Sequence, residues 1–159
     1  MTQELIIRRA GVSDAAELAA LEQICFRDPW TEESIRHDLE FGELLTTIVA
    51  VTDRRIIGYI SVQILLDECD IRRVAVLPER RGMQVASILM SALIHFVETQ
   101  GVKMMTLEVR EDNKPARGLY EKFGFRENGR RPNYYGPAED AVLMARIGDP
   151  DEVDPARQA

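Results

Sequence analysis

The alternation of apolar and polar positions along the chain predicts about seven strands and about four helices. A short apolar run at residues 5–8 predicts the first strand, and a helix is predicted to begin at Ser13 or Asp14. Glu17 follows Asp14 at the spacing of a capping box, which predicts that motif at the helix start. A second helix is predicted to begin after Thr31, because threonine accepts a hydrogen bond from the free N–H groups of a first turn.

Three further strands are predicted before the chain returns to helix. Their apolar runs cover residues 44–51, 56–65 and 71–77 and are separated by polar turns. From Val85 onward, apolar residues recur at steps of three and four. This period predicts a long helix that stops at Gly101, since glycine is favoured just past a helix end.

The last part of the chain continues this alternation. A buried strand is predicted at residues 103–110, a helix at 115–123, and two strands at about 125–130 and 140–147. Helices that interrupt a mixed, mostly antiparallel sheet produce a layered α/β, or α+β, fold. The sequence therefore predicts that fold class.

The length of 159 residues is typical of one domain, which we expect over residues 1–147. Residues 148–159 are polar and contain two prolines, which predicts a disordered C-terminal tail.

Charge and composition narrow the classes of protein. The formal net charge of -7 argues against binding to a phosphate backbone. No apolar run reaches the ~20 residues that cross a bilayer, and the N-terminus lacks the features of a signal peptide. Cys25 and Cys69 form neither a disulfide framework nor, with histidines, a metal-ligand spacing. We therefore expect a cytoplasmic protein without metal, nucleic-acid or membrane partners.

The first candidate for chemistry is the segment of residues 78–86, between a strand end and the long helix. Free N–H groups and the helix dipole make such a helix start a natural anion site. Arg80 and Arg81 add positive charge for a phosphate. The alternative is an ordinary turn with two solvated arginines, and the spacing fits neither the Walker loop nor the dinucleotide fingerprint.

The second candidate is Glu108, a carboxylate within an otherwise apolar strand. Burying an unpaired carboxylate is costly, so Glu108 is expected to be paired or to lie in a cleft that admits water. A buried carboxyl also tends to have a raised pKa, which suits a proton acceptor near neutral pH. The alternative is a glutamate at a strand end that pairs with Arg110 or another arginine.

The third candidate is the helix that opens near Asn113 and Pro115 and ends at Gly124. Tyr120 lies at helical spacing from the apolar residues of this helix. Taken alone, this spacing favours a core tyrosine with a satisfied hydroxyl over a catalytic one.

Together these segments resemble the GCN5-related N-acetyltransferase superfamily. Its signature is Arg or Gln, two residues, Gly, one residue, then Gly or Ala, and it is similar to RGMQVA at residues 81–86. LEVR at residues 107–110, then Asn113, then LYEKFGF at residues 119–125 resemble the second half of the family.

Two more segments are similar to the subgroup of ribosomal-protein-alanine N-acetyltransferases. These are CFRDPWTEESI at residues 25–35 and RRPNYYGPAEDAVLMA at residues 130–145. The resemblance covers nearly the whole chain except the tail. It implies an acetyl-CoA-dependent enzyme that acetylates the α-amino group of a protein N-terminus, with the N-terminal alanine of a ribosomal protein as the acceptor.

The resemblance also implies a direct attack of the amine on the thioester, and it assigns roles to residues. Glu108 corresponds to the general base, acting through water, and Tyr120 to the general acid that protonates the CoA sulfur. The residues implied to hold acetyl-CoA are Val74, Ala75, Val76, Arg81, Gly82, Met83, Gln84, Val85, Ala86 and Asn113. The residues implied to flank the entrance for the acceptor are Phe26, Pro29, Trp30, Tyr134 and Tyr135. For Trp30, packing between the first two helices is an equal alternative.

Gln84 departs from the signature, which has glycine at this position. If the position needs a positive φ, glutamine costs about 1–2 kcal/mol there, whereas an ordinary first-turn conformation costs little. This departure leaves a non-catalytic acyl-CoA-sensing module as one alternative, against which the presence of both Glu108 and Tyr120 argues. Another alternative is an acetyltransferase of the same superfamily that acts on lysine or on small-molecule amines.

Overall fold

A computed structural model describes residues 4–82 and 84–148 of the chain. The strands are β1 (Leu5–Arg9), β2 (Leu45–Thr52), β3 (Arg55–Leu65), β4 (Glu68–Val76), β5 (Met104–Arg110), β6 (Arg126–Gly136) and β7 (Glu139–Ile147). The α-helices are α1 (Ala15–Cys25), α2 (Glu32–Phe41), α3 (Val85–Thr99) and α4 (Lys114–Lys122). Short 3₁₀ turns at Val12–Asp14 and Pro78–Arg80 precede α1 and α3.

The strands are hydrogen-bonded in the order β1-β2-β3-β4-β5-β7-β6. The pairs β1–β2, β2–β3, β5–β7 and β6–β7 are antiparallel. β4 and β5 run parallel, with residues 68–70 opposite residues 104–106. The predicted mixed, mostly antiparallel sheet with four helices is therefore confirmed.

The described chain divides into two compact units. The first consists of the residues up to 64 together with residues 72–95, and the second of residues 65–71 together with those from 96 onward. The single domain over residues 1–147 stays a prediction. The expected tail lies outside the described residues from position 149 onward, whereas the N–H of Gly148 donates to the carbonyl of Lys103 at 2.8 Å.

In the first unit, the apolar stripe of α1 forms part of the core. Leu18 and Leu21 are 2% and 3% exposed. α2 begins as predicted, because Thr31 Oγ1 accepts a hydrogen bond from the N–H of Ser34 at 3.1 Å. In the described residues, no helix combines the length and the apolar character that crossing a bilayer requires.

The start of α1 differs from the prediction. The Asp14 carboxylate accepts two hydrogen bonds from the Arg8 guanidinium, at 2.9 and 3.0 Å, and one from the N–H of Gly11 at 2.8 Å. Glu17 Oε2 accepts from the N–H of Ile56 at 2.6 Å. The predicted capping box is therefore wrong, because each carboxylate finds its donor outside the helix.

In the second unit, β5 alternates between buried and more exposed positions. Met105, Leu107 and Val109 are buried in turn. Because successive side chains of a strand point to opposite faces, Glu108 and Arg110 lie together on the other face. This alternation places the candidate base away from the core.

The substitution Asp14→Asn tests the ion pair at the start of α1. The hydrogen bond from Arg8 lowers the pKa of Asp14 from its usual value of 3.8. The ionised carboxylate therefore stabilises the fold above that value, and the contribution is lost as the pH falls through the lowered pKa. We expect the variant to lose about 1–3 kcal/mol of unfolding free energy near neutral pH and less in acid, measured by urea unfolding. An equal loss in acid would contradict this role of the charge.

Candidate active site

The turn between β4 and α3 presents backbone donors suited to an anion. The N–H of Ile88 donates to the carbonyl of Gln84 at 3.0 Å, as the first turn of the 15-residue helix α3 requires. The N–H groups that precede Ile88 have no acceptor within the helix. With the helix dipole, these donors favour a negatively charged group at this end of α3.

Two of the described residues of this turn have a left-handed backbone. Gly82 has a φ of 81°, and a Cβ built there would meet no atom within 4 Å. Gln84 has a φ of 63°. A left-handed conformation costs a residue with a Cβ about 1–2 kcal/mol and costs glycine nothing comparable. The structure therefore decides the question that the sequence left open, because position 84 is one that favours glycine.

Arg81 joins this turn to the end of β4. Its Nε donates to the carbonyl of Val76 at 3.0 Å, and the Cys25 thiol lies 3.5 Å from the same oxygen. Ala75 and Val76 are buried, whereas Val74 is half-buried. The predicted cofactor residues of β4 and of the turn thus form one connected segment of the first unit.

The thiol of Cys25 is not an activated nucleophile. Its partial burial raises its pKa, and the effect outweighs the nearby charge of Arg81. A thiol with a raised pKa stays protonated at neutral pH. This agrees with a direct transfer in which no cysteine carries the acetyl group.

Four other predicted cofactor residues occupy helix starts or lie outside the described residues. Val85 is 5% exposed in the first turn of α3, and Ala86 is half-buried beside it. Asn113 is the N-cap of α4, where its Oδ1 accepts from the N–H of Ala116 at 3.3 Å. Met83 lies outside the described residues, and the cofactor role of Asn113 stays a prediction.

A buried ion pair adjoins residues 26–30, which the sequence predicted to flank the acceptor. The side chain of Glu22 is 0% exposed, and it accepts from Arg73 Nη2 at 2.9 Å and from Nε at 3.2 Å. The N–H of Trp30 donates to the same carboxylate at 2.8 Å, and the Tyr59 hydroxyl also donates to it. A buried carboxylate is tolerated only with such partners.

Arg73 also contacts the segment directly. Its guanidinium carbon lies 3.9 Å from the ring centroid of Phe26 and 4.5 Å from that of Trp30. Its Nη2 donates to the carbonyl of Asp28 at 3.0 Å. Phe26, Pro29 and Trp30 all remain partly exposed. The segment is therefore held from one side and accessible from the other.

Trp30 borders a small cavity of the first unit. The cavity measures about 20 Å³ and is lined by Leu18, Trp30, Ile35, Asp38, Leu39, Thr47, Tyr59 and Ser61. This volume holds roughly one water molecule. Trp30 thus packs near α1 and α2 and stays partly exposed, and its role in binding the acceptor remains a prediction.

Glu108 lies on the accessible face of β5 in the second unit. Its side chain is 32% exposed, and its Oε1 lies 3.4 Å from Nη2 of Arg131 on β6. Arg110 pairs instead with Glu139, at 3.6 Å. Glu108 is therefore in the middle of a strand, paired and within reach of water, as a base that works through water requires.

Tyr134 and Tyr135 lie beside this carboxylate. Their rings meet edge to face with centroids 5.0 Å apart. Arg110 lies 4.4 Å from the centroid of Tyr135, and Arg131 lies 5.5 Å from that of Tyr134. Partial burial raises the pKa of Tyr135, and the charge of Glu108 raises it further. The structure thus brings the candidate base and both predicted substrate tyrosines together.

Tyr120 is a buried residue of α4 whose ring packs on Phe125 with centroids 5.8 Å apart. Burial raises the pKa of Tyr120 to about 12, with a smaller contribution from Tyr135. The phenol therefore keeps its proton at neutral pH and can act as a donor. The residue has the packing that the sequence favoured, and its role as the general acid stays a prediction.

The sequence reasoning missed Glu22, Arg73 and Tyr59. A signal was present, because Glu22 follows Leu18 by four positions and therefore extends the buried stripe of α1. A carboxylate at such a position requires a partner from elsewhere in the fold. The sequence alone does not identify that partner, since Arg73 lies 51 positions away.

Known proteins resemble the chain over most of its length. Residues 15–125 match the acetyltransferase (GNAT) family. The ribosomal protein bS18-alanine N-acetyltransferases of Haemophilus influenzae and Salmonella typhimurium are each 35% identical to it, over 88% and 79% of this chain and 97% and 85% of theirs. The crystal structure of the ribosomal-protein-S18-alanine N-acetyltransferase from Escherichia coli is similar, with a TM-score of 0.84 and 29% identity, over 91% of this chain and 94% of the other.

The substitution Gln84→Gly tests the strain before α3. Glycine relieves the left-handed conformation but adds freedom to the unfolded chain, so we expect a net gain of up to about 1 kcal/mol in unfolding free energy. Gln84→Ala is the matched control, because alanine removes the long side chain and keeps the Cβ. Denaturant unfolding of both variants gives the comparison. An equal gain with alanine would assign the cost to side-chain crowding instead of φ.

Tyr120→Phe tests the burial of the phenol. Because the folded-state pKa is raised to about 12 from 10.0, the wild type should keep its full contribution below pH 10 and lose stability as the pH rises from 10 to 12. The variant lacks this ionisation. Over that range, the unfolding free energy of the wild type should therefore fall more steeply than that of the variant, by about 1 kcal/mol per pH unit. Parallel alkaline profiles of the two proteins, measured by urea unfolding, would contradict the buried position.

Proposed function

Because the chain belongs to the acetyltransferase (GNAT) family and is an N-acetyltransferase, we propose that it transfers the acetyl group of acetyl-CoA to the α-amino group of a protein N-terminus. The proposed acceptor is the N-terminal alanine of a ribosomal protein. The observation that carries this proposal is the 35% identity to two enzymes named for that acceptor, over most of the chain.

The turn before α3 fits the phosphates of acetyl-CoA. Free N–H groups at the helix start supply donors, and the open space at Gly82 allows close approach to the backbone. Arg81 adds a positive charge at the same turn. The backbone of residues 74–76, at the end of β4 that leads into this turn, is proposed to hold the pantetheine arm as an added strand.

Acetyl-CoA supplies an activated acyl thioester, and the protein has to supply a neutral amine. Glu108 is proposed to accept the proton of the amine through a water molecule, for which its exposure and its position beside Tyr135 are suited. An α-amine titrates near pH 7.7–8.0, so roughly a tenth of it is neutral at pH 7. Lysine titrates near 10.4 and costs about 3.5 kcal/mol more to deprotonate. The accessible carboxylate therefore favours the α-amine.

Tyr120 is proposed to give its hydroxyl proton to the sulfur that leaves. Its raised pKa of about 12 keeps that proton in place across the neutral range. Asn113, as the N-cap of the same helix α4, is proposed to contact CoA.

Aromatic side chains are proposed to receive the first residues of the acceptor. In the first unit these are Phe26 and Trp30, with Pro29 between them in sequence, and all three are partly exposed. In the second unit they are Tyr134 and Tyr135, which are 52% and 37% exposed. Such rings provide flat surface for an extended backbone at low entropic cost.

The localisation of the protein and its lack of nucleic-acid, metal and membrane partners stay predictions. A net charge of -7 supports the absence of a nucleic-acid partner. The cytoplasmic location and the absence of a metal or a membrane partner are retained as expectations from the sequence.

The release of CoA in the presence of acetyl-CoA and short peptides tests the proposal. We expect turnover on peptides with a free N-terminal Ala or Ser, and none on N-blocked peptides that carry lysine. Glu108→Gln should lower kcat by about 10²–10⁴-fold, since a positioned base contributes that much. Glu98→Gln is the matched control, because Glu98 also pairs with an arginine at 3.4 Å and is 35% exposed.

Other outcomes separate the alternatives. Turnover confined to the blocked lysine peptides would contradict the acceptor and leave the reaction type intact. Turnover confined to small amines would also contradict the proposed acceptor and leave the reaction type intact. Binding of acetyl-CoA without turnover on any amine would favour an acyl-CoA-sensing module.

A further inference from the structure

We propose that Arg73 is a positioning residue for acceptor binding, which holds residues 26–30 in one conformation while Glu22 holds Arg73. The inference rests on the proposed function, in which residues 26–30 receive the acceptor. Arg73 itself belongs to β4 and is not among the residues proposed to touch either substrate.

The first step of the argument is that one side chain holds both ends and the middle of the segment. The guanidinium lies 3.9 Å from the Phe26 ring and 4.5 Å from the Trp30 ring, measured to the centroids. Between these rings in sequence, the carbonyl of Asp28 accepts from Nη2 at 3.0 Å. The segment joins α1 to α2. The N–H of Phe26 closes the last turn of α1 on the carbonyl of Glu22 at 2.9 Å, and residues 27–30 belong to no helix or strand. Its conformation therefore depends on contacts from outside, and Arg73 supplies three of them.

The second step is that Arg73 is itself immobilised. Glu22 accepts from both Nη2 and Nε, and its side chain is 0% exposed, whereas that of Arg73 is 21% exposed. Tyr59 donates to the same carboxylate, which orients it from β3. A planar guanidinium held by two of its donors has a fixed plane. The faces of that plane are then available to the rings.

The third step is that Glu22 acts on the segment twice. It fixes Arg73, and its Oε1 also accepts the N–H of Trp30 at 2.8 Å. The ion pair between Glu22 and Arg73 thus holds both the backbone and the ring of Trp30. Phe26 and Trp30 are nevertheless partly exposed, so a peptide can reach them.

The substitution Arg73→Lys separates positioning from a purely structural role. Lysine retains the positive charge that the buried carboxylate of Glu22 needs, but it loses the flat faces and the forked donors. Removing Glu22 is less informative, because it leaves a buried charge without its partner. With peptides that bear a free N-terminal Ala, we expect the KM for the peptide to rise about tenfold, from the loss of a hydrogen bond and two cation–π contacts. The KM for acetyl-CoA should stay within about twofold.

A second measurement reports the segment without any turnover. Trp30 is the single tryptophan of the chain, so the tryptophan emission comes from this segment. Release of the ring in Arg73→Lys should shift the emission maximum to the red and increase quenching by acrylamide. Arg8→Lys is the matched control, because Arg8 also forms two hydrogen bonds to a carboxylate, that of Asp14, in the same unit. It should change neither the emission nor the peptide KM.

The outcomes distinguish this inference from the proposed function. An unchanged peptide KM in Arg73→Lys, or an equal rise of both KM values, overturns the positioning role. If the wild type acetylates only another amine, the KM for that amine is compared instead, and the acceptor proposal alone has failed. If the wild type acetylates no amine, the proposed function has failed. In that case the emission of Arg73→Lys still tests the contact, and an unchanged emission overturns the hold of Arg73 on residues 26–30.

Discussion

A carboxylate that is 0% exposed has to receive its hydrogen bonds from the protein, and around Glu22 this requirement orders much of the first unit. The donors come from three places along the chain, namely Trp30 after α1, Tyr59 on β3 and Arg73 on β4. Each donor fixes its own segment relative to α1. An apolar side chain at position 22 would fill the same space, but it would leave the guanidinium of Arg73 without its partner. One buried charge thus connects a helix, two strands and the segment proposed for the acceptor.

The second unit contains a carboxylate in the opposite environment. Glu108 follows the alternation of β5 onto an accessible face, where one long ion pair to Arg131 leaves it 32% exposed. A base that relays a proton through water needs this access, whereas a residue that orders the fold needs burial. Tyr135 beside it and Tyr120 on α4 are neutral hydroxyls whose pKa values burial raises. The two glutamates therefore occupy opposite environments, and the role proposed for Glu108 follows from its access to water.

The local signals in the sequence were sufficient for the elements and for part of the candidate site. Periodicity placed the helices and most strands within a few residues, and Thr31 marked the start of α2. The end of β6 was predicted wrongly, because the strand continues through Tyr134 and Tyr135 to Gly136 instead of ending near residue 130. Glu108, Tyr134 and Tyr135 were singled out, and the structure brings them together in one unit. Such features are predictable because a strand alternates, a helix start needs a cap and a family motif keeps its spacing, all within a short stretch of chain.

The tertiary structure alone decided which partner each polar group found. Asp14 and Glu17 have the spacing of a capping box, yet their donors are Arg8, Gly11 and Ile56. Likewise, the left-handed backbone of Gln84 follows from how the chain enters α3, and the residue type argues against it. A carboxylate or a dihedral angle responds to whatever the folded chain brings near it, and a pattern along the chain does not contain that information. The sequence by itself therefore determined the fold class, the family and the candidate base, and the folded chain decided the ion pairs that hold the site.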